Sequence, residues 1–292
     1  MNIIKENKLL TKKSIAGFII KPEGRSIKDK FLEIQSIFEK FNIVVLCEYN
    51  SAKELGLKKG IKFKELCKKV DFLVTLGGDG TLISVSRRAT KYQKAVMGIN
   101  LGTLGFLTDI MPNELTEFLT KFQNNDYRID KRMMIEASIG DKTKKIIAFN
   151  DIVITRKNVT GMINLDAIID GKLFNRYNGD GVIISTPTGS TAYNMSCSGP
   201  IVYPLTDAFI VTSISPHSLT QRPLVLPYNF TIILKNRDKK PCMVIVDGHD
   251  TYKLKSDETI TIKIASKKAN LIHRKERNYF EVLNKKLHWG AN

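Results

Sequence analysis

The chain has 292 residues, a hydrophobic fraction of 42% and a formal net charge of +17. That length holds two domains of ordinary size, and that hydrophobic fraction excludes global disorder. The charge favours anionic partners such as nucleotides, polyphosphates or nucleic acid, and carries no information about fold.

No apolar run is long enough to span a bilayer. Met1 to Lys13 lacks the apolar stretch and cleavage site of a signal peptide, so a cytoplasmic protein without a membrane partner is expected. The four cysteines, Cys47, Cys67, Cys197 and Cys242, form no Cys-x-x-Cys pair and read as buried thiols. The four histidines are scattered, which argues against a zinc hydrolase. The sequons at Asn158, Asn194 and Asn229 carry no meaning without secretion. Positive charge is dense only from Lys58 to Lys69, and no helix-turn-helix, zinc-finger or ribonucleoprotein motif is present. A specific nucleic-acid partner is therefore not expected.

Ile15 to Ile20 reads as a first strand, ended by Lys21-Pro22-Glu23-Gly24. Ile27, Phe31, Ile34, Phe38 and Phe41 recur at helical spacing and predict an amphipathic helix over 26–41. Ile43 to Cys47 reads as a strand and Phe63 to Val70 as a short helix. Phe72 to Leu76 reads as a buried parallel strand that stops at Gly77-Gly78-Asp79-Gly80-Thr81. A helix over 82–91 follows, then a strand at Ala95 to Ile99. Alternation of strand and helix predicts a parallel sheet with covering helices.

Pro112 opens a helix to about Phe122, a place suited to a domain hinge. Beyond it the pattern becomes β. Strands are expected at Lys131 to Ile139 and Lys145 to Thr155 around a Gly140-Asp141 turn, and at Phe209 to Ser213, Phe230 to Leu234, Cys242 to Val246 and Thr259 to Ala265. Ala167 to Tyr177 reads as a hairpin around Asp170-Gly171. A helix at Glu276 to Leu287 returns to cover the first domain. The expected architecture is an N-terminal α/β domain, 1–110 with helix 275–292, followed by a β-rich, sandwich-like domain, 111–274.

Two stretches carry chemistry. Glycines 77, 78 and 80 permit close approach of a ligand at a strand end, and a helix N-terminus there suits phosphate. Asp79 is out of place if phosphate is the only ligand; it accepts a proton from a hydroxyl, or meets phosphate through a metal ion. Turn composition alone also explains the string. The second stretch runs from Asp180-Gly181 through Ser185-Thr186-Pro187-Thr188-Gly189-Ser190-Thr191-Ala192-Tyr193. Its hydroxyls suit ribose and base edges, and Tyr193 offers a stacking face. A capped loop with Ser190 or Thr191 as N-cap is the structural alternative. Asn150-Asp151, at the end of a strand Ile146 to Phe149, adds an amide–carboxylate pair suited to ribose hydroxyls.

Together with Gly98-Ile99-Asn100 and Gly105-Phe106-Leu107, these strings resemble the NAD kinase family over nearly the whole chain. The Gly-Gly-Asp-Gly string is shared with lipid kinases and phosphofructokinases, so another kinase of that group, or a noncatalytic nucleotide-binding protein, is the alternative. The resemblance implies NAD bound between the two domains and a homo-oligomer, tetramer or dimer. It implies phosphoryl transfer from ATP or polyphosphate, with Mg²⁺ or another divalent metal carried by the donor, to the adenosine 2′-hydroxyl of NAD. It assigns Asp79 as general base. A carboxylate is a weak base for an alcohol, so the proton is expected to leave late. Gly77, Gly78, Gly80 and Thr81 then admit phosphate. Asn150 and Asp151 hold the adenosine. Thr191, Ala192, Tyr193, Asn194, Met195 and Ser196 line its pocket, and Asp180 faces the nicotinamide half. Asp151 stands where the family more often has Glu. His249 stands where Gln is frequent, and is either a nucleotide contact or a surface histidine.

Overall fold

In the computed structural model, residues 14–21, 27–103, 105–141, 143, 145–156 and 161–290 are described. The expected loop at Pro22-Glu23-Gly24, the helix start at Ser26, Leu104, the segment Met1 to Lys13 and the Asn158 sequon lie outside them.

The chain forms two compact units. One runs to Asp130 and resumes at Ala269, and the other is Lys131–Lys268. The expected boundary at 110 therefore moves. The helix after Pro112 packs into the first core through Leu115, Phe118, Leu119 and Phe122. An apolar stripe that finds a partner core belongs to that core, whatever hinge signal opens it.

The first unit begins with β1 (Ser14–Ile20), α1 (Ile27–Lys40), β2 (Ile43–Cys47), α2 (Tyr49–Glu54), α3 (Phe63–Lys69), β3 (Phe72–Leu76), α4 (Asp79–Ala89), β4 (Ala95–Ile99), α5 (Leu115–Gln123) and β5 (Tyr127–Arg132). β3 and β4 are buried at every position, as strands covered on both faces must be. Helix α1 buries the expected stripe Ile27, Phe31, Ile34 and Phe38. Its aromatic pair meets Phe18 of β1 edge-on, with ring centroids 5.8 Å (Phe31) and 5.1 Å (Phe38) away. Helix α2 has no apolar stripe in the sequence. It owes its start to Glu48, whose carboxylate caps the N–H groups of Asn50 and Ser51.

The second unit comprises β6 (Ile135–Ile139), β7 (Ile146–Ala148), β8 (Asp151–Thr155), β9 (Ile163–Ile169), β10 (Lys172–Gly179), β11 (Gly181–Ser185), the short helix α6 (Tyr193–Ser196), β12 (Ala208–Ile214), β13 (Leu224–Pro227), β14 (Ile232–Asn236), β15 (Cys242–Val246), β16 (Asp250–Leu254) and β17 (Thr259–Ile264). Two six-stranded sheets result, ordered β10-β9-β14-β17-β6-β7 and β13-β12-β11-β8-β15-β16. Their inner faces share one core that includes Ile135, Leu165, Ile184, Val244 and Ile262, so the sandwich expected from the sequence is present.

The hairpin of β9 and β10 turns at Asp170 and Gly171, both at positive φ, as expected. The β segment expected at Lys145 to Thr155, with a strand end at Phe149, forms two strands. β7 belongs to one sheet and β8 to the other, and the chain crosses between them at Phe149-Asn150.

The chain then returns to the first unit as β18 (Ala269–Arg274) and α7 (Tyr279–Leu287). β18 pairs in parallel with β4 and completes the sheet order β2-β1-β3-β4-β18-β5. The helix is expected from the sequence, and the strand is not. Among the described residues no helix is long and apolar enough to cross a membrane. All four cysteines are free thiols, and burial pushes Cys47 up to about 12 and Cys67 and Cys242 up to about 11.

Candidate functional site

In the first unit β3 ends at Leu76, and Gly77 turns the chain with φ of +149°. Helix α4 begins at Asp79, earlier than the sequence indicates, with Gly78 as N-cap. Asp79 therefore sits in the first helical turn, where the helix dipole favours an anion. A Cβ at Gly77 would crowd Thr81 Oγ1 at 2.6 Å, so that glycine serves the fold. At Gly78 and Gly80 a Cβ would meet nothing within 4 Å, and neither has positive φ. Gly78 suits its N-cap position, and at both exposed glycines the backbone is open to close approach.

The Asp79 carboxylate is gripped by the segment after β4. Oδ2 accepts the N–H of Phe106 at 2.7 Å. Oδ1 accepts the N–H groups of Leu107 (3.1 Å) and Thr108 (3.0 Å) and the Thr108 hydroxyl (2.9 Å). Oδ1 is thus saturated, while Oδ2 holds one donor and keeps room for a second. Gly105 lies against this carboxylate. A Cβ there would run into Asp79 Oδ1 and would sit 2.7 Å from Asp79 Cγ. In the sequence Gly105 falls in a family string without a role, and Thr108 is not singled out. No local signal marks either, because their common partner, Asp79, is far back in the chain.

Behind this segment lies a buried ionic cluster. Arg277 donates to the Phe106 carbonyl and approaches Asp109 Oδ2 at 3.3 Å through Nε. Asp109 Oδ1 is 3.1 Å from His273 Nδ1, and His273 Nε2 is 3.7 Å from Asp130. Burial opposes ionisation of Asp109, but the His273 ring and the Arg277 and Arg274 guanidinium groups outweigh it and hold its carboxyl below the usual range.

In the second unit the sheet crossover at Phe149-Asn150 is held by Asp247. Its carboxylate accepts the N–H groups of Phe149 (2.9 Å), Asn150 (2.7 Å) and Asp151 (3.2 Å). Asp247 occupies the β15–β16 turn at φ of +48°, followed by Gly248 at +70°. Its Asp-Gly turn signal is visible in the sequence; its clamp on a segment nearly a hundred residues away is not. Asp151 is 4% exposed, and burial first, then the Asp247 charge, pushes its carboxyl up to about 7.

Among the described residues, Asn150 Oδ1 and Thr188 Oγ1 belong to the buried side-chain atoms without a hydrogen-bond partner, as do Thr81 Oγ1, Asp109 Oδ2 and Arg277 Nε in the first unit. A buried polar atom left this way costs about 1–3 kcal/mol; Asp109 Oδ2 and Arg277 Nε are compensated by their ion pair, whereas Asn150 Oδ1, Thr188 Oγ1 and Thr81 Oγ1 have capacity for a ligand or water. Thr188 is absent from the binding residues picked out in the sequence. Thr186 ties the loop together by donating to the Phe149 carbonyl and accepting the Gly189 N–H.

The remaining expected residues divide. Thr191, Ala192 and Met195 are half-buried, Ser196 is exposed, and Tyr193 keeps 46% of its surface open. Asn194 does not face outward. It is fully buried, donates to the carbonyls of Ser190 and Pro200 and accepts from Thr212 Oγ1, so its amide holds the loop. The Asp180 carboxylate is paired with Arg156 at 2.8 Å. His249 is exposed on the turn. Among the described residues no group of three or more His, Cys, Asp or Glu could hold a metal ion.

Comparison with known proteins gives these features a setting. Residues 17–127 match the ATP-NAD kinase N-terminal domain, and residues 149–274 match the ATP-NAD kinase C-terminal domain. A protein of Sulfurimonas denitrificans named NAD kinase is 44% identical over 98% of this chain and 99% of its own length. One of Wolinella succinogenes with the same name is 44% identical over 96% of this chain and 97% of its own. The crystal structure of yeast NADH kinase complexed with NADH superposes with a TM-score of 0.86 at 27% identity, covering 96% of this chain and 89% of that one. An NAD kinase of Archaeoglobus fulgidus in complex with ATP shares the fold, with a TM-score of 0.76 at 24% identity over 94% of this chain and 98% of its own. With both domain families matched in order and relatives of this identity over nearly their full length, the chain belongs to the NAD kinase family.

Proposed function

We propose that this protein transfers a phosphoryl group from ATP to the 2′-hydroxyl of the adenosine ribose of NAD, giving NADP. The observation that carries the chemistry is the Asp79 carboxylate, fixed by four hydrogen bonds with one direction left on Oδ2, between two glycines with open space above their backbone. On this reading Oδ2 accepts a hydrogen bond from the acceptor hydroxyl, orients its oxygen and takes the proton late, as a loose transition state allows. Gly78, Gly80 and the α4 N-terminus receive phosphate oxygens. A divalent metal carried by the triphosphate would neutralise its charge beside Asp79 and the α4 N-terminus. In the second unit Asn150, Asp151, Thr188 and Tyr193 bind the nucleoside, with the orphaned Asn150 and Thr188 oxygens taking its polar edges. Asp151, titrating near pH 7, serves in its neutral form as a hydrogen-bond donor as well as an acceptor. We also place the protein in the cytoplasm, as a homo-oligomer.

The test is NADP formation from NAD, ATP and Mg²⁺, read with an NADP-specific dehydrogenase. Polyphosphate is run as alternative donor and NADH as alternative acceptor, since one structural neighbour is named an NADH kinase. Product with NAD and ATP supports the proposal. Absence of product in every arm, from folded protein, refutes it.

A further inference from the structure

The Phe106–Leu107 peptide group has partners on both sides. Its N–H, on Leu107, donates to Asp79 Oδ1, and its C=O, on Phe106, accepts from Arg277 Nη2. A donor on a peptide carbonyl polarises that peptide and strengthens the hydrogen bond its N–H makes. A buried cation is thus linked to the Asp79 carboxylate through a single peptide group. We infer that Arg277 is a positioning residue for the phosphoryl transfer: through the Phe106–Leu107 peptide it fixes the Asp79 carboxylate in the orientation that meets the acceptor hydroxyl. The inference rests on the role proposed above for Asp79.

The surroundings of Arg277 suit this role. Its side chain is 3% exposed, so it does not drift between solvent and protein. The Asp109 carboxylate faces it at ion-pair distance, 3.3 Å from Nε and without a hydrogen bond, and the other oxygen of Asp109 meets His273. Nη2 donates to the carbonyl while the delocalised guanidinium charge faces the Asp109 carboxylate, an arrangement a lysine ammonium reproduces less well. Residues 106 and 277 are far apart in the chain, so the return of β18 and α7 to the first unit is what delivers the cation. Helix α7 adds Lys286, whose ammonium lies 5.7 Å from the Phe106 ring centroid. The C-terminal segment therefore shapes the segment that grips Asp79 and does more than cover the sheet.

The experiment is steady-state kinetics of the full chain with NAD and ATP for Arg277→Met, Arg277→Lys, Asp109→Asn and Asp79→Ala, with circular dichroism on each. Arg277→Met should lower kcat on the order of tenfold to a hundredfold, the cost of a small misplacement of a reacting group, and leave the KM for NAD within about twofold. Arg277→Lys should fall between Met and wild type. Should Arg277→Met not fold, Asp109→Asn decides by the same criterion, since it removes the negative charge that faces the guanidinium. An unchanged kcat in folded Arg277→Met, or a loss confined to KM, overturns the inference. Asp79→Ala separates the two ideas: if it keeps wild-type kcat the role of Asp79 fails, whereas a damaging Asp79→Ala with a harmless Arg277→Met sinks only the role of Arg277.

Discussion

Replacing Asp151 by Asn should make the protein more stable, and increasingly so as pH rises. Asp151 is almost fully buried beside the Asp247 carboxylate, and its own carboxyl is pushed from 3.8 up to about 7. The unfolded chain has no such burial, so there the group ionises near its ordinary value. Below about pH 3.8 both states hold the proton and Asp151 imposes no penalty. As pH rises toward 7, the unfolded state loses its proton while the folded state keeps it, and stability falls; above about 7 the penalty is constant. The full difference corresponds to about 4 kcal/mol, of which about 3 kcal/mol accrues between about pH 5 and pH 8. Asparagine is uncharged at every pH and nearly isosteric, and its backbone N–H still meets Asp247. Urea unfolding of wild type and Asp151→Asn, followed by circular dichroism at about pH 5 and pH 8, measures the gap directly. The variant should gain stability at the higher pH and gain distinctly less at the lower. A gap that does not change with pH, or a variant less stable than wild type at the higher pH, would refute the reasoning.

Gly105→Ala should abolish most activity while leaving the sheet intact, because the added Cβ would displace the Asp79 carboxylate; NADP formation with a near-native circular dichroism spectrum checks it. Asp79→Asn should lose turnover yet bind NAD within about tenfold of wild type. It should also lose about 1–3 kcal/mol of stability, since its amide turns a donor toward at least one N–H now held by the carboxylate; titration of NAD fluorescence quenching and a thermal melt test the two parts. Phe18→Ala should cost about 3–5 kcal/mol, as it empties a fully buried site between Phe31 and Phe38, and a shift of the urea midpoint measures it.

Local pattern settled much of the first unit. β2 and β4 lie where their apolar runs begin and end, and α1 follows its stripe to within a residue or so, because burial of a periodic face is a local demand. The Asp170-Gly171 hairpin was legible for a similar reason: two adjacent residues at positive φ belong in such a turn. The glycine-rich string and the hydroxyl-rich string were also visible, because unusual chemistry is written in consecutive residues.

What the tertiary structure decided is what those residues do to one another. Lys145 to Thr155 reads as β with a strand end at Phe149, and only the packing of two sheets sends its halves to different sheets and brings Asp247 onto the crossing. β18 has a short apolar pattern of its own and becomes a strand by pairing with β4, far earlier in the chain. Asn194 reads like its pocket-lining neighbours, but its hydrogen-bonding capacity is used inside the loop. Asp79 was legible as a carboxylate at a phosphate-sized turn. Its grip by Phe106, Leu107 and Thr108, and the arginine behind them, were not, because hydrogen bonds between distant segments leave no periodicity, spacing or composition in the sequence that makes them.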